Sequence, residues 1–328
     1  MVWWLVLLWA LLKLVIAIGF IFVTALVLIY MLRKVMGHMQ YRMGPRHHGP
    51  HGIFQTIFDA IKLMGKENII PKDVDKWPYL WAPVIVFVPT LTIFALLPFA
   101  EKITATNIEI SLLLVLAIMG VSTISLIMAG WGSNNKYALL GGLRSAAQMI
   151  SYEIPLILST MGVVVMAGSM NLTDIVRAQQ SIYYIVPQAA AFFIFMTAAL
   201  AEINHTPFDI PEAESEIVAG FNIEYSGFRF AAFFLAEFVN LFIMCALAAL
   251  LFLGGWLPFT DPVYGTLFFL FKTYVLIFIT MWIRSTFPRF RIDQLMNFGW
   301  KVLLPLSLVN IFVTGAVVLI VDNARGAW

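Results

Sequence analysis

Cysteine is almost absent from this 328-residue chain: Cys245 stands alone, so no intrachain disulfide can form. A single thiol also cannot hold an iron–sulfur cluster, which needs several thiolates, and the sequence has neither a GxGxxG turn nor a P-loop. Any redox chemistry must therefore be supplied by a partner chain or a diffusible cofactor. Charge is scarce as well: Asp, Glu, Lys and Arg make up 12% of the residues, about half the share in a soluble domain. A net charge of +2 leaves no electrostatic footprint for nucleic acid.

What the chain has instead is apolar length. Hydrophobic residues reach 61% and mean hydropathy is +0.90, which excludes an ordinary soluble domain and predicts an all-α polytopic membrane protein. Apolar runs of roughly 20 residues give about eight spans. They are Val2 to Leu32, Trp81 to Ala100, Ile110 to Gly130, Ile154 to Ala167, Ile185 to Ala201, Phe228 to Leu253, Leu267 to Ile283 and Val302 to Val321. The Ile154 run is short unless its helix begins earlier, near Ser145. The opening run has no basic n-region and no small-residue cleavage site, so it is expected to stay attached. Fully helical, it would measure about 45 Å against a hydrocarbon thickness of about 30 Å, and must tilt or project. Residues 1–328 then form one membrane domain, with connectors near 33–80, 131–153, 202–227 and 284–301 on one side. Arg33, Lys34, Arg42, Arg46, Lys62, Lys66, Lys136, Arg144, Arg284, Arg289, Arg291 and Lys301 fall in or beside those connectors, and the alternate loops offer only Lys102, Arg177 and the terminal Arg325. The positive-inside rule puts the connectors in the cytoplasm and both termini outside.

The connectors carry the chemistry. After HMQYRMGPRHHGPHG, Ile53, Phe54, Ile57, Phe58, Ile61 and Met64 recur at helical spacing with Asp59 and Lys62 on other faces, which predicts an interfacial amphipathic helix too polar to span. Such a helix either floats at the headgroups or lines a lipid-accessible entrance. His47, His48 and His51 lack nearby cysteines and sit in Gly-Pro turns, a weak basis for a metal site. The connector GWGSNNKYALLGGLRSAAQMISYEIP ends at Glu153 beside Pro155, where a lost helical hydrogen bond can admit water. The stretch EINHTPFDIPEAESEIVAGFNIEYSG holds Glu202, Asp209, Glu212, Glu214, Glu216 and Glu224. Asp209 can cap a helix starting at Pro211, and Glu212, Glu214 and Glu216 would then crowd on one short helix, where like charges favour uptake of a proton. A solvated acidic surface helix is the plain alternative. Glu237, deep in FRFAAFFLAEFVNLFIM, lies close to mid-membrane, costly unless protonated, paired or hydrated, and Asn240 lies almost one turn on. Lys272 is nearer the outer face, where a lysine can snorkel. Arg284, Arg289 and Arg291 surround Pro288 in a loop that either anchors lipid phosphates or docks an acidic partner.

The stretches QYRMGP with GIFQTIFDAIKLMGKE, GWGSNNKYALLGGLRSAAQMISYEIP, PFDIPEAESEIVAGFNIEYSG with FFLAE, and PRFRIDQLMNFGWK occur in order along nearly the whole chain. Together they resemble the quinone-site membrane subunit family of respiratory complex I, NADH:quinone oxidoreductase. That resemblance implies a subunit of a proton-translocating enzyme in the bacterial inner membrane, or the mitochondrial one if organellar, with a quinone, ubiquinone or menaquinone, as substrate. NAD and the iron–sulfur clusters would sit only in partner subunits: peripheral-arm subunits B, D or C/D and I, with small membrane subunits A, J and K alongside. Arg42, Gly44 and Pro45 are implied at the chamber's mouth, and Phe58, Asp59 and Lys62 at the quinone entrance. Glu202, Asp209, Glu212, Glu214 and Glu216 fall on the acidic chamber loop, and Glu153, Glu224 and Glu237 would continue a proton relay from it. Two positions depart from the pattern the resemblance implies, Arg46 for a usual Asn and His205 for a usual Arg. The second replaces a permanent charge beside Glu202 and Asp209 with a group titrating near neutrality, so either His205 is protonated in place or the local proton affinity differs. Related membrane-bound hydrogenases and dehydrogenases with other donors would use the same fold. A stand-alone secondary carrier would also have intramembrane acids, but this chain has no convincing internal repeat and its polar residues gather on one face.

Overall fold

Backbone amides in hydrocarbon find no water, so apolar runs of this length close their hydrogen bonds within helices. The computed structural model describes residues 3–211 and 214–325, and its spans are helical throughout. In chain order the helices are α1 (Trp3–Met39), α2 (Gln55–Gly65), α3 (Lys76–Leu96), α4 (Ser111–Gly132), α5 (Lys136–Ala167), α6 (Leu172–Ala178), α7 (Ala189–Glu202), α8 (Glu214–Ile217), α9 (Gly227–Phe252), α10 (Pro262–Thr286), α11 (Ile292–Phe298) and α12 (Leu304–Arg325). Among the described residues seven helical segments are long and apolar enough to cross a membrane, and α7 is a shorter apolar helix. At about 1.5 Å per residue α7 is roughly 21 Å long, shorter than a usual hydrocarbon layer.

The bundle is built around α9. Its apolar window is 78% buried, against 24% for α1 and 11% for the last span, so α9 is the axis and those two are the rim. Every residue from Leu241 to Phe252 is buried, and Phe242 meets Phe20 of α1, Phe94 of α3 and Tyr274 of α10. Lys272 Nζ donates to the carbonyls of Leu253, Gly255 and Leu257 at 2.6, 3.0 and 2.7 Å, closing the C-terminal end of α9. It lies over the rings of Phe268 and Tyr183. Capping the helix, rather than snorkelling, accounts for its position.

The connector expected over residues 131–153 is mostly helix. Asn135 Oδ1 accepts from the Tyr137 amide at 2.9 Å, a side-chain cap that starts α5 at Lys136. The helix runs through Pro155 to Gly168, whose φ of 66° ends it in the left-handed conformation. The span expected from Val302 begins earlier too: α11 enters a π-helical turn, Gly299–Leu303, that leads directly into α12. Tyr152 OH donates to the Leu295 carbonyl at 2.9 Å and Trp300 Nε1 to Ser151 Oγ at 3.1 Å, which locks this turn against α5.

Candidate functional site

The acidic loop begins where α7 stops. The His205 amide bonds back to the Leu200 carbonyl at 3.2 Å, Asn204 takes a φ of 57°, and the Phe208 amide bonds the His205 carbonyl at 2.8 Å. Gln148 of α5 reaches across with its Nε2 donating to the Ala201 and Phe208 carbonyls at 2.7 and 2.8 Å and to Asn204 Oδ1 at 3.0 Å. The turn is thus pinned from its own helix and from α5, which aims His205 inward.

The His205 side chain is fully buried, with Nε2 3.1 Å from Glu237 Oε1, and Arg284 Nη1 lies 3.5 Å from the same oxygen. Arg289 Nη2 donates to Asp209 Oδ2 at 3.1 Å. Arginines 284 and 289, read from sequence as a lipid anchor or docking loop, therefore each reach an acid of the site. Burial pushes the Asp209 carboxyl up despite the opposing charges of Arg289 and Arg284. Burial and then the Arg284 charge push His205 down, against the Glu237 carboxylate that draws it up. Glu202 Oε2, His205 Nδ1 and Asp209 Oδ1 are buried without a protein partner.

Beside this cluster lies a cavity of about 230 Å³. Glu202, Asn204, Glu237, Asn240 and Arg284 give it a polar wall, and Phe221, Phe230, Phe233 and Phe234 an aromatic one. A smaller void of about 10 Å³ shares Ser122, Glu202 and Asn240 with it and adds Ile243 and Met244, one turn further along α9. The larger volume has room for several waters, and the smaller is at the limit for one. Glu153 lines neither cavity; its Oε1 packs against α4, 2.8 Å from where a Cβ on Gly120 would stand.

Other predicted residues lie elsewhere. Glu224 Oε1 accepts from Asn135 Nδ2 at 2.8 Å and lines neither cavity. Glu216 is exposed, its Oε2 2.6 Å from Arg144 Nη1. Helix α8 is described over Glu214–Ile217, and the helix expected from Pro211 with Asp209 as its cap runs through residues outside the described ones. Glu212 and the side chain of Glu214 lie outside the described residues.

The quinone-entrance residues form a second group at the end of α1. Asp59 of α2 pairs with Arg33 of α1, and Gln55 Nε2 donates to Asp59 at 3.0 Å. Burial is the largest single influence on the Asp59 carboxyl and raises it, but the hydrogen bonds from Arg33 and Gln55 with the charges of Arg33 and Lys62 together outweigh it and hold it low. Lys34 Nζ donates to the Pro45 carbonyl at 2.8 Å, and a Cβ on Gly44 would lie 3.0 Å from the Arg33 carbonyl, so the QYRMGP loop lies tight against α1. Arg42 and Lys62 are exposed. Ile53, Phe54, Ile57, Phe58, Ile61 and Met64 are all exposed, leaving the apolar face of α2 uncovered by this chain. Sequence reasoning missed the reach of Gln148 and the contact of His205 with Glu237. The only signal for the second was a titratable residue next to the acids.

Residues 12–315 match the family described as NADH dehydrogenase. The chain is 55% identical over 288 residues to the H subunit of NADH-quinone oxidoreductase from Geobacillus kaustophilus, covering 87% of this chain and 86% of the relative. It is 50% identical over 312 residues to the protein of the same name from Brevibacillus brevis, covering 94% and 92%.

Proposed function

This chain belongs to the family of H subunits of NADH-quinone oxidoreductase, multi-pass membrane components of that enzyme, and from this premise we propose that it forms the lipid-side part of a quinone chamber and couples quinone reduction to proton movement. The observation that carries the second half is the cavity joining Glu202 at the end of α7 to Glu237 and Asn240 inside α9. Buried carboxylates with unpartnered oxygens are groups that ordered water satisfies, and water beside carboxylates conducts protons. The quinone tail would enter over the exposed apolar face of α2, between α1 and α9. The connector side faces the cytoplasm and the peripheral-arm subunits B, D and I, with both termini outside.

Electrons reach the quinone from an iron–sulfur cluster in a partner, so this chain's part is electrostatic. Reduction puts negative charge near the acidic loop in a region of low dielectric, where charges are weakly screened. Carboxylates respond by taking up protons or by moving. Arg284 and Arg289 hold Glu237 and Asp209 in their ion pairs, so a change of charge on the loop competes directly with those pairs. Glu237→Gln keeps the shape and removes the titration. In the assembled enzyme it should lower quinone-coupled NADH oxidation by about a hundredfold while NADH oxidation by a soluble acceptor that bypasses quinone continues. Unchanged quinone activity in an assembled Glu237→Gln enzyme would refute the relay.

A further inference from the structure

We infer that His205 is the proton-relay residue that feeds Glu237, a role that rests on the coupling function proposed above. Its ring has no exposed surface, its Nε2 is 3.1 Å from Glu237 Oε1, and its Nδ1 is buried without a protein partner. The two nitrogens of a neutral imidazole differ: one carries a proton and the other a lone pair, and the hydrogen bond at one fixes the tautomer. With the Nε2–H donated to the Glu237 carboxylate, the lone pair is on Nδ1, away from Glu237.

The step balances without any co-reactant beyond a hydrated proton. A proton delivered by water forms an N–H bond at Nδ1, the Nε2–H bond breaks, and an O–H bond forms at Glu237 Oε1. The ring is neutral before and after. Glu237 changes from carboxylate to carboxylic acid, which releases its hold on Arg284 at 3.5 Å. The ring regains its first tautomer when, after Glu237 has passed its proton on, Nδ1 loses its proton to water and Nε2 takes one up. Asn240, on the same cavity wall as Glu237, is the next polar group along α9.

The charged groups facing the ring are Glu237 of α9 and Arg284 of α10, with the Asp209–Arg289 pair and Glu202 nearby in the loop and at the end of α7. Burial and the Arg284 charge keep the ring's proton affinity below the ordinary 6.5, so the lone pair is free at neutral pH. An imidazolium has no lone pair to accept with. The relay is therefore intact above that value and is lost as the pH falls through the folded-state pKa.

A merely structural histidine would only hold Glu237 through its N–H, and glutamine offers an N–H donor without a second ring nitrogen. The test uses the assembled enzyme in sealed vesicles, with quinone-coupled proton translocation followed from about pH 5 to about pH 8 in wild type, His205→Gln and Glu237→Gln. Wild type should lose activity on the acid side. His205→Gln should run about a hundredfold slower at neutral pH and lose that acid limb. Wild-type rates and a wild-type acid limb in His205→Gln, with Glu237→Gln collapsed, overturn the role of His205 and leave the coupling reading standing. Wild-type rates in Glu237→Gln overturn the coupling reading itself. Should His205→Gln not assemble, the smaller His205→Asn is read by the same comparison.

Discussion

Gln148 Nε2 faces three oxygens, the carbonyls of Ala201 and Phe208 and Oδ1 of Asn204, and no other side chain in the described residues ties α5 to both ends of this turn. Gln148→Leu keeps the bulk and removes these contacts, while the Asn204 and Ile210 amides still bond the Ala201 and Phe208 carbonyls at 3.2 and 3.0 Å, so the cost is that of lost neutral hydrogen bonds, about 0.5–1.5 kcal/mol each. The denaturation midpoint of the assembled enzyme should fall, and hydrogen exchange in residues 201–208 should speed up; an unchanged midpoint and exchange rate would show that water replaces the amide without loss. At this scale the sequence was informative where one residue broke a local rule. Glu237 stood out because a carboxylate in an apolar helix is expensive. His205 stood out as a titratable group beside the acids, but its contact with Glu237 did not, because that partner lies 32 positions away on another helix and nothing local marks it. Arginines 284 and 289 were read as surface charge for the same reason: composition records that a loop is basic and not which way each side chain turns.

Among the elements, α2 was legible and α5 was not. The apolar spacing from Ile53 to Met64 is a local pattern, and the helix forms over Gln55–Gly65 with that face exposed. Helix α5 carries Lys136, Arg144, Gln148 and Glu153 along its first half, which a hydropathy window reads as a connector. Its polar side chains find partners in loops distant in sequence, Arg144 on Glu216 and Gln148 on the Ala201 turn. Its small residues allow close backbones: a Cβ on Gly141 would lie 2.6 Å from Gly220 Cα, and one on Gly142 2.9 Å from the Leu126 carbonyl. Gly141→Ala should therefore push the Gly220 turn away from α5 and reduce assembly of the subunit, read as the amount recovered with its partners; full recovery would contradict the packing. The Arg33–Asp59 pair clips α2 to α1. Asp59→Ala should raise the quinone KM several-fold with little change in kcat, the signature of lost ground-state binding. An unchanged KM would leave α2 as a helix at the headgroups and nothing more.

Over the whole molecule, apolar runs gave the all-helical class, because lipid allows few alternatives to a helix, and eight segments of which α7 is too short to count with the seven long ones among the described residues. They did not give the order of burial, in which α9 is enclosed and the last span lies on the rim; that depends on how the helices pack. Nor did they give the cavity, whose walls come from α3, α4, α5, α9, α10 and the loops after α7 and α8. Proton movement between Glu202 and Glu237 requires that space to be wet. A density map of the assembled enzyme, at a resolution that shows individual waters, is the direct measurement. Ordered water within hydrogen-bonding distance of Glu202, His205 Nδ1 and Glu237, continuing to Asn240, is the predicted result; a dry or lipid-filled space between Glu202 and Glu237 would contradict it.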